Sequence, residues 1–243
     1  MAMQNLPTPN SPLAIILCPL KYEYDAIAQS PLAKHNVIHC TGPGYDPIIC
    51  ALEQIQINLN KKHRNQPDHG RPPIILAGLA GSLSPNCPPQ SAWVARCIKD
   101  EYGKTWPTTW PTTQNQNAVG LTMIDLLAAD AVYHSPAEKN EAHHRFDAHL
   151  VDTESHALAE WAGEKNHPFG VIRGVSDSHD YALPLAIDKW TRSDGSINLP
   201  RITLDLALHP NWIKKTKALQ QNSKLALQKI IQLLITLGLT APT

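Results

Sequence analysis

The chain has 243 residues, of which 42% are hydrophobic and 17% are charged, a composition typical of a globular protein rather than a disordered or membrane-spanning one. Acidic and basic side chains are equal in number at 21 each, which argues against a nucleic-acid-binding protein with a broad cationic surface. No run approaches the roughly 20 apolar residues of a membrane helix, and the N-terminus lacks the features of a signal peptide, so we expect a cytoplasmic protein.

The first third of the chain alternates apolar runs with amphipathic stretches. Residues 1–11 are polar and contain prolines, which indicates a flexible tail before a domain spanning 12–243. The all-apolar runs predict strands that are buried on both faces of a sheet. In chain order we predict a strand at 13–17, a helix at 21–30, a strand at 36–40, a helix at 47–60 and a strand at 73–77, with glycine turns at 42–44 and 78–81.

The middle of the chain contains a tandem repeat, Trp106-Pro-Thr-Thr followed by Trp110-Pro-Thr-Thr. The repeat has no packing period, so we interpret Trp106–Thr113 as an extended loop or an edge hairpin. A surface insertion, a lid or a subunit contact would each fit such a segment. Strands are predicted on either side of it, at 92–98, 120–128 and 131–133.

The C-terminal half is predicted to be mainly helical. Ser135, Pro136 and Glu138 have the spacing of an N-cap, a first helical residue and a capping box, which predicts a helix to about residue 145. The following pattern predicts a strand at 150–152, a helix at 155–165, a strand at 169–175, a loop at 183–200, a short helix at 204–208 and a long helix at 212–237. The alternation as a whole predicts one α/β domain with a largely parallel sheet covered on both faces.

Polar residues and glycine turns follow several of the predicted strands. Ligands of open α/β sheets bind beyond the carboxyl ends of the strands, so these positions are candidates for a site. Each signal alone also fits a helix cap or a tight turn, but their convergence on one sheet edge favours a functional site. The candidates are Glu23, Gly42, Gly44, Gly78, Ala80, Gly81, Asp152, Glu154, Ser176 and Asp177.

Five segments carry the most specific motifs of the chain. They are Cys18-Pro-Leu-Lys-Tyr-Glu23, Gly42-Pro-Gly44, Gly78-Leu-Ala-Gly81, Val151-Asp-Thr-Glu-Ser155 and Val171-Ile-Arg-Gly-Val-Ser-Asp177. In order and rough spacing they resemble the nucleoside phosphorylase/nucleosidase family, which includes purine and uridine phosphorylases and methylthioadenosine/S-adenosylhomocysteine nucleosidase. The region from Glu154 to Pro210 is most similar to the hopanoid-associated branch, whose members are thought to release adenine from adenosylhopane.

The resemblance implies a fold and a chemistry. The fold is a single-domain, three-layer α/β/α arrangement around a central mixed, largely parallel twisted sheet. The chemistry is cleavage of the N-glycosidic bond of a purine nucleoside, with adenine as the expected base and a 5′ substituent larger than hydroxyl. Asp177 would be the general acid that protonates N7 of the purine, Glu154 would accept hydrogen bonds from the ribose hydroxyls, and Glu23 would lie near an attacking water.

The other expected site residues support these three. Ala80 and Gly81 would bring backbone close to the sugar or the nucleophile, and Ser176 would orient Asp177 or the base. The remaining expected substrate-binding residues are Gly44, Thr153 and His156. Thr153 stands where the family has a methionine under the sugar, and His156 could instead pack within its helix.

Two departures from the family pattern leave the nucleophile open. Leu79 replaces a small hydroxyl residue that helps to hold phosphate, and no arginine precedes the glycine turn, so water competes with phosphate as the expected nucleophile. A nucleosidase of the methylthioadenosine/S-adenosylhomocysteine type is an alternative. A catalytically inactive nucleoside-binding protein with the same fold is another.

Cofactors and partners follow from the same residues. The histidines lack zinc-ligand spacing and the five cysteines lack CxxC pairs, so we expect no metal and no other cofactor, with phosphate as a possible co-substrate. We expect a purine nucleoside ligand, no nucleic acid and a homo-oligomer. Lysines 214, 215, 217 and 224 fit the solvated face of a packed helix, with peripheral membrane contact as the alternative.

Overall fold

The computed structural model describes residues 13–63, 71–112 and 120–240, so the predicted tail at 1–11 lies outside the described residues. The described strands are β1 (Ile15–Cys18), β2 (Val37–Cys40), β3 (Ile74–Ser82), β4 (Ala92–Asp100), β5 (Thr105–Pro107), β6 (Met123–Ala128), β7 (Leu150–Asp152) and β8 (Phe169–Asp177). The described α-helices are α1 (Lys21–Ala28), α2 (Tyr45–His63), α3 (Pro136–Phe146), α4 (Ser155–Lys165), α5 (Leu199–Leu208) and α6 (Trp212–Thr236). Two short 3-10 helices lie at Pro31–Lys34 and Ile187–Lys189.

The strands form one mixed sheet that closes on itself. Along the order β2-β1-β3-β7-β6-β4-β5, strand β8 pairs with both β3 and β4, so β3, β7, β6, β4 and β8 complete a ring. Parallel pairs outnumber antiparallel ones among the described strands. The predicted α/β domain with a mixed, largely parallel sheet is therefore confirmed, but its centre is a five-strand barrel rather than the flat middle layer of a three-layer sandwich.

Long, bent strands explain why the sheet closes. Strand β3 pairs with β1 at its start and with β7 at its end, and its register against β8 shifts between Ala80 and Gly81. Strand β4 likewise pairs first with β8 and then with β6, with a register shift between Ala95 and Cys97. Such irregularities bend and twist a strand, which lets its two ends reach different neighbours.

Helices cover the sheet on more than one side. One buried apolar cluster joins the strands to α2 and α4 through residues such as Leu52 and Leu158. A second joins them to α1 and α6 through residues such as Ile27 and Ile230. Helix α6 begins and ends within one residue of the prediction, and its predicted apolar residues Ile230 and Leu234 are fully buried.

Three of the sequence predictions need correction. Strand β3 continues through the glycine segment 78–81 where a turn was expected, and residues 131–133 form no strand but line a cavity. Helix α5 begins at Leu199, five residues before the predicted start, inside the predicted loop. The turn predicted at 42–44 is present, with φ of 92° at Gly42 and 90° at Gly44.

The tryptophan repeat adopts the edge-hairpin form that was one of its two interpretations. Strand β5 pairs antiparallel with β4, and Trp106 lies opposite Ile98. Trp110 is buried against Gly170 of β8, where a Cβ atom would lie only 2.6 Å from the Trp110 carbonyl oxygen. Thr113, the last residue of the repeat, lies outside the described residues.

Candidate active site

A cavity of about 780 Å³ opens where β3, β7 and β8 end. All the residues that were predicted as catalytic or substrate-binding line it. They are Glu23, Gly44, Ala80, Gly81, Thr153, Glu154, His156, Ser176 and Asp177. The structure thus brings the predicted site together in one place, and the individual chemical roles stay predictions.

Asp177 ends strand β8 and is almost fully buried at the cavity. Its Oδ1 atom accepts a hydrogen bond of 2.6 Å from the Ser176 hydroxyl, as expected for a residue that orients it. Gly81 of β3 faces it closely, because a Cβ atom at Gly81 would lie 3.2 Å from Asp177 Oδ2. A larger residue at position 81 would push against the carboxylate.

Lys139 is the partner of Asp177 that the sequence did not reveal. Its side chain is fully buried, and Nζ donates to Asp177 Oδ2 at 2.5 Å and to the carbonyl oxygens of Ser178 and Tyr181 at 2.9 Å and 3.0 Å. The predicted capping box is present, with Ser135 Oγ accepting from the Glu138 N–H at 3.2 Å and the Glu138 carboxylate accepting from the Ser135 N–H at 2.7 Å. This cap fixes the start of α3 and so places Lys139 in the helix.

Arg173 organises a second group of buried acids at the end of β7. Its Nε atom donates to Asp152 Oδ2 at 2.5 Å, and Nη2 lies 3.4 Å from Glu154 Oε2. Asp152 also caps α4, since it accepts the backbone N–H of Ser155 at 3.0 Å. Arg173 thus anchors both acids, and its Nη1 is buried without a hydrogen-bond partner.

Glu154 reaches into the cavity between two other donors. Its Oε1 accepts the Thr153 hydroxyl at 2.8 Å and the backbone N–H of Gly44 at 3.4 Å. Thr153 therefore fixes the position of the Glu154 carboxylate. This differs from the role expected of the methionine that the family has at this position, which lies under the sugar. His156 stacks on Tyr45 with a centroid distance of 5.0 Å, so it both packs locally and lines the cavity.

Glu23 connects helix α1 to strand β3. Its carboxylate accepts the backbone N–H of Leu20 at 2.9 Å, which caps α1, and the backbone N–H of Leu79 at 2.8 Å. A Cβ atom at Gly78 would lie 2.9 Å from both Glu23 carboxylate oxygens and 2.7 Å from Arg173 Nη1. Only glycine allows these two buried charges to approach the strand at this point.

Three buried acids, Glu23, Asp152 and Glu154, surround the single positive charge of Arg173. Burial raises the pKa of Glu23 to about 7, with Arg173 and two backbone N–H groups opposing the shift and Glu154 adding to it. Burial also raises the pKa of Glu154, against the attraction of Arg173. Glu23 can therefore gain or lose a proton near neutral pH, which a general base requires.

Apolar side chains also line the cavity. Leu183 and Ile187 come from the segment after β8, Leu219 from α6, and Val132 and Tyr133 from the segment after β6. These side chains offer contacts to a hydrocarbon or thioether group. The same segments also contribute polar lining residues, namely Asp130, Asp188, Thr191 and Ser223.

Metal ligands are not grouped in the described part of the chain. Within residues 13–63, 71–112 and 120–240, no cluster of three or more His, Cys, Asp or Glu side chains could hold a metal ion. The same ranges contain no helix with the length and hydropathy needed to cross a bilayer.

Removing the charge of Lys139 should destabilise the fold because Asp177 would remain buried without its partner. We expect Lys139→Met to lower the free energy of unfolding by about 3–5 kcal/mol, and the double variant Lys139→Met/Asp177→Asn to recover part of that loss. Lys104→Met, which removes an exposed ion pair with Glu160, is the control and should cost less than about 1 kcal/mol. Urea unfolding of the unaltered protein and the three variants measures these free energies. An equal loss of stability in Lys139→Met and Lys104→Met would contradict the ion pair between Lys139 and Asp177.

Comparison with known proteins places this site in context. The family model of the phosphorylase superfamily matches residues 126–207, which include α3, β7, α4, β8 and α5. No curated protein matches the chain. The resemblance to the nucleoside phosphorylase/nucleosidase family is thus confirmed over the segment that carries Lys139, Glu154, Arg173 and Asp177.

Solved structures share the fold over most of the chain. Futalosine hydrolase of Helicobacter pylori strain 26695 has a TM-score of 0.63 at 12% identity, covering 92% of this chain and 96% of that one. The 5′-methylthioadenosine/S-adenosylhomocysteine nucleosidase of H. pylori with butyl-thio-DADMe-Immucillin-A has a TM-score of 0.60 at 14% identity, covering 92% and 99%. A variant of the H. pylori nucleosidase with 5′-methylthioadenosine in its active site has a TM-score of 0.57 at 16% identity, covering 75% and 93%.

Proposed function

We propose that this protein hydrolyses the N-glycosidic bond of a purine nucleoside that bears adenine and an apolar 5′ substituent. The observation that carries the proposal is that four buried carboxylates line one cavity. Asp152 is held by Arg173 at 2.5 Å, which leaves Glu23, Glu154 and Asp177. The reaction needs three groups from the protein: a proton donor for the purine, a hydrogen-bond acceptor for the ribose hydroxyls and a general base for the nucleophile. One carboxylate is available for each.

Asp177 would act on the purine. As the bond between C1′ and N9 breaks, its electron pair goes to the base, and N7 takes a proton from the Asp177 carboxyl group. Because Asp177 is ion-paired with the Lys139 ammonium, 2.5 Å from Oδ2, this proton comes from Lys139, which passes it to Oδ2 and becomes a neutral amine beside the carboxylate. The proton that the attacking water gives up later restores the ammonium. The Ser176 hydroxyl fixes the other oxygen and so the direction of the carboxyl group.

Glu154 would hold the sugar. A carboxylate can accept hydrogen bonds from both ribose hydroxyls, and its negative charge stabilises the positive charge that develops at C1′. Thr153 and the Gly44 N–H, which both donate to Oε1, set the position of this carboxylate. Arg173 secures the opposite oxygen.

Glu23 would activate water. It removes one proton from the water whose oxygen bonds to C1′, and its pKa of about 7 suits this role. A phosphate dianion in the same place would meet Glu23 and Glu154, while the Arg173 side chain is already engaged with Asp152. This charge balance favours water over phosphate.

The comparisons support the reaction class without fixing the substrate. The structural neighbours include a futalosine hydrolase and methylthioadenosine/S-adenosylhomocysteine nucleosidases, whose names state hydrolysis or nucleoside cleavage. The apolar side chains of Leu183, Ile187 and Leu219, which line the cavity, favour a hydrophobic 5′ group, from a methylthio group up to the hopane of adenosylhopane. A methylthioadenosine-type nucleosidase therefore differs from the main proposal only in the 5′ group.

The test is release of free base from a nucleoside panel, with and without phosphate. The panel contains adenosine, inosine, methylthioadenosine, S-adenosylhomocysteine and an adenosine with a long 5′ alkyl group. We expect adenine release in phosphate-free buffer, at least about tenfold faster for apolar 5′ groups than for adenosine. Release that needs phosphate would replace hydrolysis by phosphorolysis, and tight binding of the base without turnover would identify an inactive binding protein.

A further inference from the structure

Helix α5 turns an uncharged, largely apolar side to solvent. The exposed residues of this helix are Leu199, Pro200, Thr203, Leu204, Ala207 and Leu208. Leu204 and Leu208 are 53% and 65% exposed and lie one turn apart. An ordinary surface helix turns its polar side to water and its apolar side to the core, and this orientation is reversed in α5.

Of the two charged residues of α5, Asp205 faces the protein, and Arg201 is partly exposed beside it. Asp205 is buried and accepts hydrogen bonds from Trp190 Nε1 at 2.9 Å and from Arg201 Nε at 3.0 Å. These bonds fix the rotation of the helix about its axis. The apolar side is therefore held outward by specific contacts.

Further exposed apolar side chains lie in the same stretch of the chain as α5. Six of the twelve large apolar side chains that are exposed in the described residues belong to the segment 185–213. We call these six the outer patch; they are Leu185, Ile197, Leu199, Leu204, Leu208 and Ile213. Such a concentration on a short segment indicates a surface that binds something apolar.

Positive charges flank the outer patch. The exposed cations of the stretch 183–217 are Lys189, Arg192, Lys214, Lys215 and Lys217. Of the acids in the same stretch, Asp205 is buried, Asp194 is half-buried and Asp188 is exposed, with its carboxylate 3.4 Å from His134 Nε2. Apolar side chains between lysines are the combination that binds the interface of an anionic bilayer.

The same segment also borders the cavity. Leu183, Ile187 and Thr191 line the cavity, whereas Leu185 points outward and is 76% exposed. The segment thus has an inner side on the candidate active site and an outer side that belongs to the patch. Leu185 of the outer patch thus lies within two residues of side chains that line the cavity.

We propose that the outer patch docks on the surface of a bilayer that contains anionic phospholipids. The leucines of α5 enter the boundary between headgroups and acyl chains, and the flanking lysines contact lipid phosphates. A second copy of the chain fits this surface less well, because a two-fold contact uses the same patch twice and brings like charges together. The docking does not depend on the proposed reaction.

Vesicle flotation without nucleoside tests the docking. We expect the full chain to float with vesicles of phosphatidylcholine and phosphatidylglycerol at 3:1, and to bind pure phosphatidylcholine at least about tenfold more weakly. Leu204→Asp/Leu208→Asp should weaken binding to the anionic vesicles by about tenfold or more. Lys214→Gln/Lys215→Gln should weaken it by about fivefold per charge and flatten its dependence on salt.

The matched control is Ile57→Asp/Lys61→Gln, which makes the same kinds of change at exposed positions of α2. It should float like the unaltered protein, and circular dichroism should show all variants folded. Absence of flotation with anionic vesicles, or equal flotation of the Leu204→Asp/Leu208→Asp protein, would overturn the proposal. It would also be overturned if light scattering showed an oligomer that these two leucine changes dissociate, since a second copy would then cover the patch.

Discussion

Asp177→Asn is expected to slow release of adenine by about 10²–10⁴-fold in kcat, with a much smaller change in KM. The asparagine keeps the size of the side chain and can still accept a hydrogen bond from Lys139, but it has no proton to give to N7 of the purine. Departure of the base would then generate an unprotonated purine anion, which is a poor leaving group. Steady-state kinetics of free-base release on the best substrate of the panel measures the effect.

A second substrate separates acid catalysis by Asp177 from a structural role. In a riboside of 4-nitrophenol, the nitrophenolate group leaves without needing a proton. Asp177→Asn should therefore reduce hydrolysis of this riboside by far less than it reduces adenine release. Asp180→Asn is the matched control, because Asp180 lies three residues from Asp177, is exposed and accepts a hydrogen bond from Ser178. Equal losses on both substrates would show that Asp177 merely supports the fold.

Local sequence features were sufficient for most elements of this fold. The apolar run before Cys18 and the capping box of Ser135 and Glu138 depend on neighbours in the chain, and the structure has them as predicted. The residues of the motifs around Glu154 and Asp177 line one cavity where β7 and β8 end. Each of these signals lies within a few residues of the feature that it predicts.

Features that depend on distant contacts were missed. Gly78 and Gly81 have the composition of a turn, yet they lie in a strand because the side chains of Glu23, Arg173 and Asp177 pack directly against it. Closure of the barrel depends on the irregular register of β3 and β4, which no local sequence pattern predicts.

Lys139 shows the same limit within the site. Its partner Asp177 is 38 residues away, and a lysine after a helix cap is normally a surface residue. Burial of its ammonium group against Asp177 could be recognised only from the folded chain.

Glu23→Gln is expected to lower kcat for hydrolysis by about 10²–10⁴-fold, because glutamine cannot take a proton from the attacking water. In the unaltered protein, kcat/KM should rise with pH up to about 7, the pKa to which burial raises Glu23. Azide is a nucleophile that needs no general base, so it should restore part of the variant's activity as a glycosyl azide forms. A pH profile that is flat between pH 5 and pH 8 would contradict the assignment of Glu23 as the base.

The same carboxyl group should make stability depend on pH with a definite sign. Because the folded-state pKa of about 7 exceeds the ordinary value of 4.5, the folded protein binds the extra proton and loses stability as the pH rises between these values. Between pH 5 and pH 8, Glu23→Gln should therefore gain about 2–3 kcal/mol in free energy of unfolding relative to the unaltered protein. Urea unfolding at both pH values measures this difference, with the exposed Glu53→Gln as the control that should show none. A group that makes the fold less stable at the pH where it is ionised, yet lies within the site, is held there for its chemistry rather than for packing.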